Sequence, residues 1–153
     1  MGTQKLDEFS RKVADSLFAQ FPEWRKLARF ELAADGAGYL QLEIAAPTEA
    51  EVDHGLTIAT ENGEVIVGFD YFHGHFFGQV GDGVRVGADY AIHFVSELVI
   101  GRMAVISWWH EGALVAFSTM EDGKALMEDD LIGPYDKIRI RSWRGNLNAD
   151  RIA

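Results

Sequence analysis

Gly63-Glu64-Val65-Ile66-Val67-Gly68-Phe69-Asp70-Tyr71-Phe72-His73-Gly74-His75-Phe76 is the stretch on which the fold turns. Its first half has the apolar pattern of a strand. Its last eight residues, Phe69 to Phe76, gather two histidines, an aspartate and four aromatics. Just upstream, Leu56 to Thr60 reads as another strand, and Glu61-Asn62-Gly63 lies between them. Asn-Gly supplies the positive φ angles that a tight turn needs, so the two strands form a hairpin spanning Leu56 to Phe76. If the second strand runs on to Phe76, side-chain alternation puts Val65, Val67, Phe69, Tyr71, His73 and His75 on one face. Ile66, Gly68, Asp70, Phe72, Gly74 and Phe76 then lie on the other. Imidazoles at i and i+2 can reach one metal ion, but Asp70 points away unless a bulge at Gly68 or Gly74 re-aims it.

Towards the N-terminus, Lys5 to Gln20 carries Leu6, Phe9, Val13, Leu17 and Phe21 at steps of three and four, with charged residues mostly between them. That spacing predicts an amphipathic helix over a sheet face, with Thr3 as a candidate cap and Pro22 limiting its extension. Leu27 to Ala33 and Tyr39 to Ile44 read as strands around the turn Asp35-Gly36-Ala37-Gly38. Towards the C-terminus, Gly78 to Gly83 is a glycine-rich connection without the lysine of a phosphate-binding loop. Arg85 to Arg102 predicts a second helix that Gly101 stops. Met103 to His110 and Leu114 to Met120 flank Glu111-Gly112-Ala113 as a hairpin, with Trp108 and Trp109 on opposite faces. Glu121 to Pro134 is acidic and irregular. Lys137 to Trp143 is a last strand, with Ile138 and Ile140 on one side and Lys137, Arg139, Arg141 and Trp143 on the other. The stripe of basic residues suits a solvent-facing edge, where such charges discourage aggregation; it can equally pair with the acidic middle of the chain. The expected class is α+β, a single domain over residues 1–153. It has an antiparallel sheet of about six to seven strands and two helices, in the order α-β-β-β-β-α-β-β-β.

The chain of 153 residues has no cysteine, which removes disulfides, thiolate metal ligands and thiol nucleophiles. The start of the chain lacks the apolar core of a signal peptide and no apolar run reaches membrane-spanning length, so a cytoplasmic protein is expected. Net charge is −10 and unevenly spread: +2 over residues 1–30, −16 over 31–136 and +4 over 137–153. An acidic middle repels nucleic acid and membrane and attracts a basic partner; it also serves solubility. None of the serines sits in a Gly-x-Ser-x-Gly context, and no catalytic residue or cofactor is expected.

The string Ile58-Ala59-Thr60-Glu61-Asn62-Gly63 and onward to Phe76 resembles a segment of small bacterial immunity proteins of polymorphic-toxin and contact-dependent growth-inhibition systems. The Trp108-Trp109 hairpin and the basic last strand are more loosely similar. The resemblance implies a cytoplasmic protein that binds a cognate toxin domain tightly and performs no chemistry. The residues expected to contribute to binding are Asp70, Tyr71, His73, His75, Glu128, Asp129 and Asp130, because carboxylates beside aromatics and histidines make good anchors for a basic partner. Two further readings stand beside it. One is a small metal-binding protein or metal-dependent enzyme using His73 and His75 with His110. The other is a generic ligand-binding or self-associating domain whose pocket is lined by the His-rich rim.

Overall fold

In the computed structural model, which describes residues 6–77, 84–123 and 132–152, Asp7 starts the first helix, α1 (Glu8–Gln20). Its carboxylate accepts from the Ser10 amide at 2.7 Å. The helix therefore begins three residues later than its apolar spacing suggests, and the Thr3 position lies outside the described residues. The buried stripe is Ser10, Val13, Ala14, Leu17 and Phe18. Ser10 belongs in it because its hydroxyl meets the Thr60 hydroxyl at 2.6 Å. Thr60 Oγ1 in turn accepts from the Leu40 amide at 2.9 Å.

The strands are β1 (Arg29–Leu32), β2 (Gly38–Ile44), β3 (Leu56–Ala59), β4 (Val65–Phe69) and β5 (Phe72–Phe76). After them come helix α2 (Val84–Val99) and strands β6 (Met103–His110), β7 (Ala113–Glu121), β8 (Lys137–Ser142) and β9 (Ala149–Ile152). The class is α+β with antiparallel pairing, as expected. Among the described residues, nine strands divide into two sheets, ordered β1-β2-β3-β4-β5 and β7-β6-β8-β9.

The chain forms two compact units. The first comprises Met1–Ala45, Gly55–Gly68 and His73–Val95. Along β2, Leu40, Leu42 and Ile44 are buried at alternate positions, as one inward face requires. A small apolar cavity lined by Val13, Leu17, Ile58, Val65, Val67, Ala91 and neighbours marks where both helices meet β3 and β4. Asn62 (φ 60°) and Gly63 (φ 72°) make the predicted turn between those strands.

The second unit comprises Ala46–His54, Phe69–Phe72 and Ser96–Ala153. Residues 96–99 of this unit finish α2. Gly101 (φ 85°) stops that helix, and the Arg102 amide returns to the Glu97 carbonyl at 3.0 Å. Strand β6 is an interior strand of the sheet, buried from Ala104 to Trp108. Trp108 packs with Ala104, Ile106, Ile138 and Ile140 on one face, while Trp109 lies half-buried on the other. The two indoles thus diverge as alternation predicts. Strand β8 is an interior strand, paired with β6 on one side and β9 on the other. Arg139 and Arg141 are therefore not the solvent stripe of an edge. Arg141 is buried and Arg139 mostly so, and both have carboxylate partners.

Candidate functional site

The histidine-rich strand of the opening stretch does not run straight to Phe76. It ends at Phe69, turns at Asp70-Tyr71 and comes back as β5, the neighbour of β4. Asp70 has φ 52°. Among side-chain-bearing residues, Asp and Asn tolerate this left-handed region best, so the turn forms without a glycine. The alternation expected over an unbroken strand to Phe76 therefore does not hold, because the chain turns at Asp70-Tyr71. The turn changes the side-chain arrangement: Asp70 and Tyr71 fall in the second unit, His73 and His75 in the first.

Asp70 is buried, its side chain 2% exposed. Its Oδ2 accepts from Nε of Arg139 at 2.8 Å and its Oδ1 from Nη2 at 3.3 Å, a two-point grip. Oδ1 also accepts from the Asp53 amide at 2.9 Å, and the Asp70 amide donates to the His54 carbonyl at 3.0 Å. One carboxylate thus fastens the turn both to β8 and to the segment Ala46–His54. Arg139 Nη2 also donates to the Glu51 carbonyl at 3.1 Å. Arg141 donates to that same carbonyl at 3.0 Å and forks onto Asp150 at 2.9 and 3.1 Å. Glu51 presents its carbonyl from a left-handed φ of 52°.

Desolvation works against the Arg139 charge, but Asp70 and then Asp53 and Asp150 outweigh it and raise its pKa further. The hydrogen bond from Arg141 holds Asp150 below the usual carboxylate range. Both guanidinium groups are engaged internally, so the cluster is built to hold backbone in place rather than to take up an anion.

What this framework presents is Tyr71. Its hydroxyl donates to Asp53 Oδ2 at 2.6 Å. Its ring meets Trp109 edge-on at 4.7 Å and His54 edge-on at 5.2 Å, and the Arg139 guanidinium lies 5.7 Å from its centroid. The hydrogen bond from Tyr71 is the main cause that lowers the Asp53 pKa, and the same bond raises that of Tyr71. Leu114, 40% exposed, sits across from Trp109 in the β6–β7 register and extends the patch. Carboxylates ring it: Asp53 is 56% exposed, and Asp136 holds the Glu111 amide at 2.8 Å.

The other expected contact residues fare differently. Asp70 is consumed by Arg139 and is not available at the surface. It positions Tyr71 and Asp53 instead. His73 and His75 are exposed and share a face of β5 with ring centroids 5.5 Å apart; His75 Nδ1 lies 2.9 Å from Glu64 Oε1. His110 lies in the second unit, 3.7 Å from Asp136. Among the described residues, no group of three or more His, Asp or Glu side chains is placed to hold a metal ion. Glu128, Asp129 and Asp130 lie outside the described residues.

Sequence reasoning missed the roles of Asp53, His54 and Trp109 at this patch. The sole signal was the Asp-His pair at 53–54 in an otherwise acidic connection. No family model matches the chain, and neither the curated proteins nor the solved structures compared with it give a match. No helix among the described residues is long and apolar enough to cross a membrane.

Proposed function

We propose that this chain is a cytoplasmic immunity protein that neutralises a basic toxin domain by covering it, without chemistry of its own. The observation that supports this reading best is the rigid presentation of Tyr71. A buried ion pair beneath it and aromatic edges on two sides fix its ring, and the Asp53 carboxylate holds its hydroxyl. Binding hot spots favour such anchors: an aromatic of low side-chain entropy, already oriented and rimmed by polar groups. The surrounding acidic residues match the negative charge of the middle of the chain and would speed encounter with a basic partner. The resemblance of Ile58 to Phe76 to immunity proteins points the same way.

The reading predicts a toxin domain encoded beside this protein, and the test uses that domain. Tagged protein should retain that domain in a pull-down, and co-expression should rescue cells producing it. Tyr71→Ala should weaken both. Wild-type protein that neither retains the toxin nor rescues the cells rules the reading out.

A further inference from the structure

Glu64, His73 and His75 all belong to the first unit. His73 and His75 stand two residues apart on β5, so alternation sends both to one side of the sheet, and both are exposed. Their rings meet edge to face with centroids 5.5 Å apart. A zinc ion sits about 2.0–2.1 Å from a ligating imidazole nitrogen, so rings this close can share one ion after a side-chain rotation. Each imidazole has two nitrogens, and a bond at one leaves the other to a metal. At His75 that division is visible. Its Nδ1 lies 2.9 Å from Glu64 Oε1. In the neutral imidazole this bond makes Nδ1 the donor and leaves the Nε2 lone pair open. Metal-ligating histidines are ordinarily held in this way: a carboxylate on the nitrogen opposite the ion orients the ring and raises its basicity.

We propose that His73 and His75 ligate a divalent late transition-metal ion of the zinc, copper and nickel class, and that Glu64 is the positioning residue for His75. Imidazole pairs favour these ions over magnesium and calcium, which take oxygen ligands. Among the described residues no third His, Asp or Glu side chain completes the set, so the other coordination positions fall to water. The site is therefore an open one at the surface, unlike a closed structural zinc centre with four protein ligands.

Calorimetric titration of the full, EDTA-treated chain with zinc sulfate tests the proposal, with magnesium chloride as the control. One zinc ion per chain should bind, and magnesium should not. In NMR spectra the ring signals of His73 and His75 should move together, while those of His54, His93 and His110 stay in place. His73→Ala and His75→Ala should each weaken zinc binding by at least about tenfold, with unchanged circular dichroism because both side chains are exposed. Glu64→Ala should weaken it about tenfold, and Glu64→Gln, which keeps an oxygen to accept from Nδ1, should recover part of the loss. His110→Ala should bind as wild type does. No saturable zinc binding, ring signals of other histidines moving instead, or full affinity in either His73→Ala or His75→Ala overturns the proposal. Full affinity in Glu64→Ala removes Glu64 from it. If a variant fails to fold, the wild-type ring signals decide alone. No toxin enters these measurements, so their outcome is separate from that of the proposed function.

Discussion

Arg139 grips both carboxylate oxygens of Asp70 from a position 69 residues further along the chain, and the pair is almost wholly buried, with side chains 12% and 2% exposed. Removing one member of such a pair strands the other charge away from water. Arg139→Met should therefore cost roughly 3 kcal/mol or more of stability. Asp70→Asn keeps the residue type that tolerates φ 52° and isolates the loss of charge. The double variant should recover part of the loss. Urea unfolding of the four proteins of the cycle gives the coupling, and an additive result would show that the pair does not act as a unit.

Tyr71 separates the two roles of the turn. Tyr71→Phe keeps the ring between Trp109 and His54 and removes the hydroxyl from an exposed carboxylate, so stability should fall by less than about 1 kcal/mol. Tyr71→Ala removes the anchor. Affinity for the toxin domain should drop by about 2 kcal/mol, or roughly thirtyfold. His73→Ala should have a smaller effect than Tyr71→Ala. Titration calorimetry with the toxin domain distinguishes them.

The same contact makes the patch acid-sensitive. Asp53 has a folded pKa below its ordinary 3.8, first because of the Tyr71 hydrogen bond. A carboxyl lowered on folding contributes stability above its unfolded pKa and loses it as pH falls through the folded value. The contribution is thus intact at neutral pH, starts to fall near pH 3.8 and is lost as pH drops through the lower folded value. Asp150 behaves alike through Arg141. Tyr71 has the opposite sign: its raised pKa gives a contribution intact below 10.0 and lost as pH rises through the folded value. Carboxyl shifts followed by NMR should show Asp53 titrating lower in the wild type than in Tyr71→Phe.

Gly145 adopts φ +75°, and an added Cβ would collide with the Glu49 backbone. Neither obstacle can be relieved by rotating a side chain. Gly145→Ala should destabilise the protein by at least about 2 kcal/mol, and a thermal melt reads the loss. By contrast, Gly36 also has a positive φ but open space around it, so Gly36→Ala should cost only the backbone strain, about 1 kcal/mol.

In the first unit, the buried Thr60 hydroxyl accepts from the Leu40 amide and donates to Ser10. Thr60→Val keeps the shape and leaves that amide without an acceptor. A loss of about 1–3 kcal/mol is expected, measured by denaturant unfolding.

Much of the architecture was legible because it depends on local pattern. Asn62-Gly63 marked a hairpin, Gly101 a helix stop, and Trp108-Trp109 a strand with two faces. β5 was hidden because Asp70 turns the chain without glycine or proline, so β4 and β5 read as one strand. β9 was hidden because Ala149–Ile152 is short and polar. The site was less legible than the fold. Arg139 and Arg141 look like surface residues in sequence, and burial becomes evident only once Asp70, Asp150 and the Glu51 carbonyl are brought to them. No spacing rule links residues so far apart.

That distance has a consequence for synthesis. Arg141 meets the Glu51 carbonyl across 90 residues, and Asn148 Nδ2 meets the Ala50 carbonyl across 98. A ribosome delivers Tyr71 long before it delivers β8, and until then Asp70 has no counter-charge and the turn has no anchor. The surface proposed to meet the toxin is therefore anchored only once the residues through Asn148 have emerged. Long-range closure of this kind slows folding. On the proposed function, protection would come only from chains already folded through β8, so a cell would need a standing reserve of them.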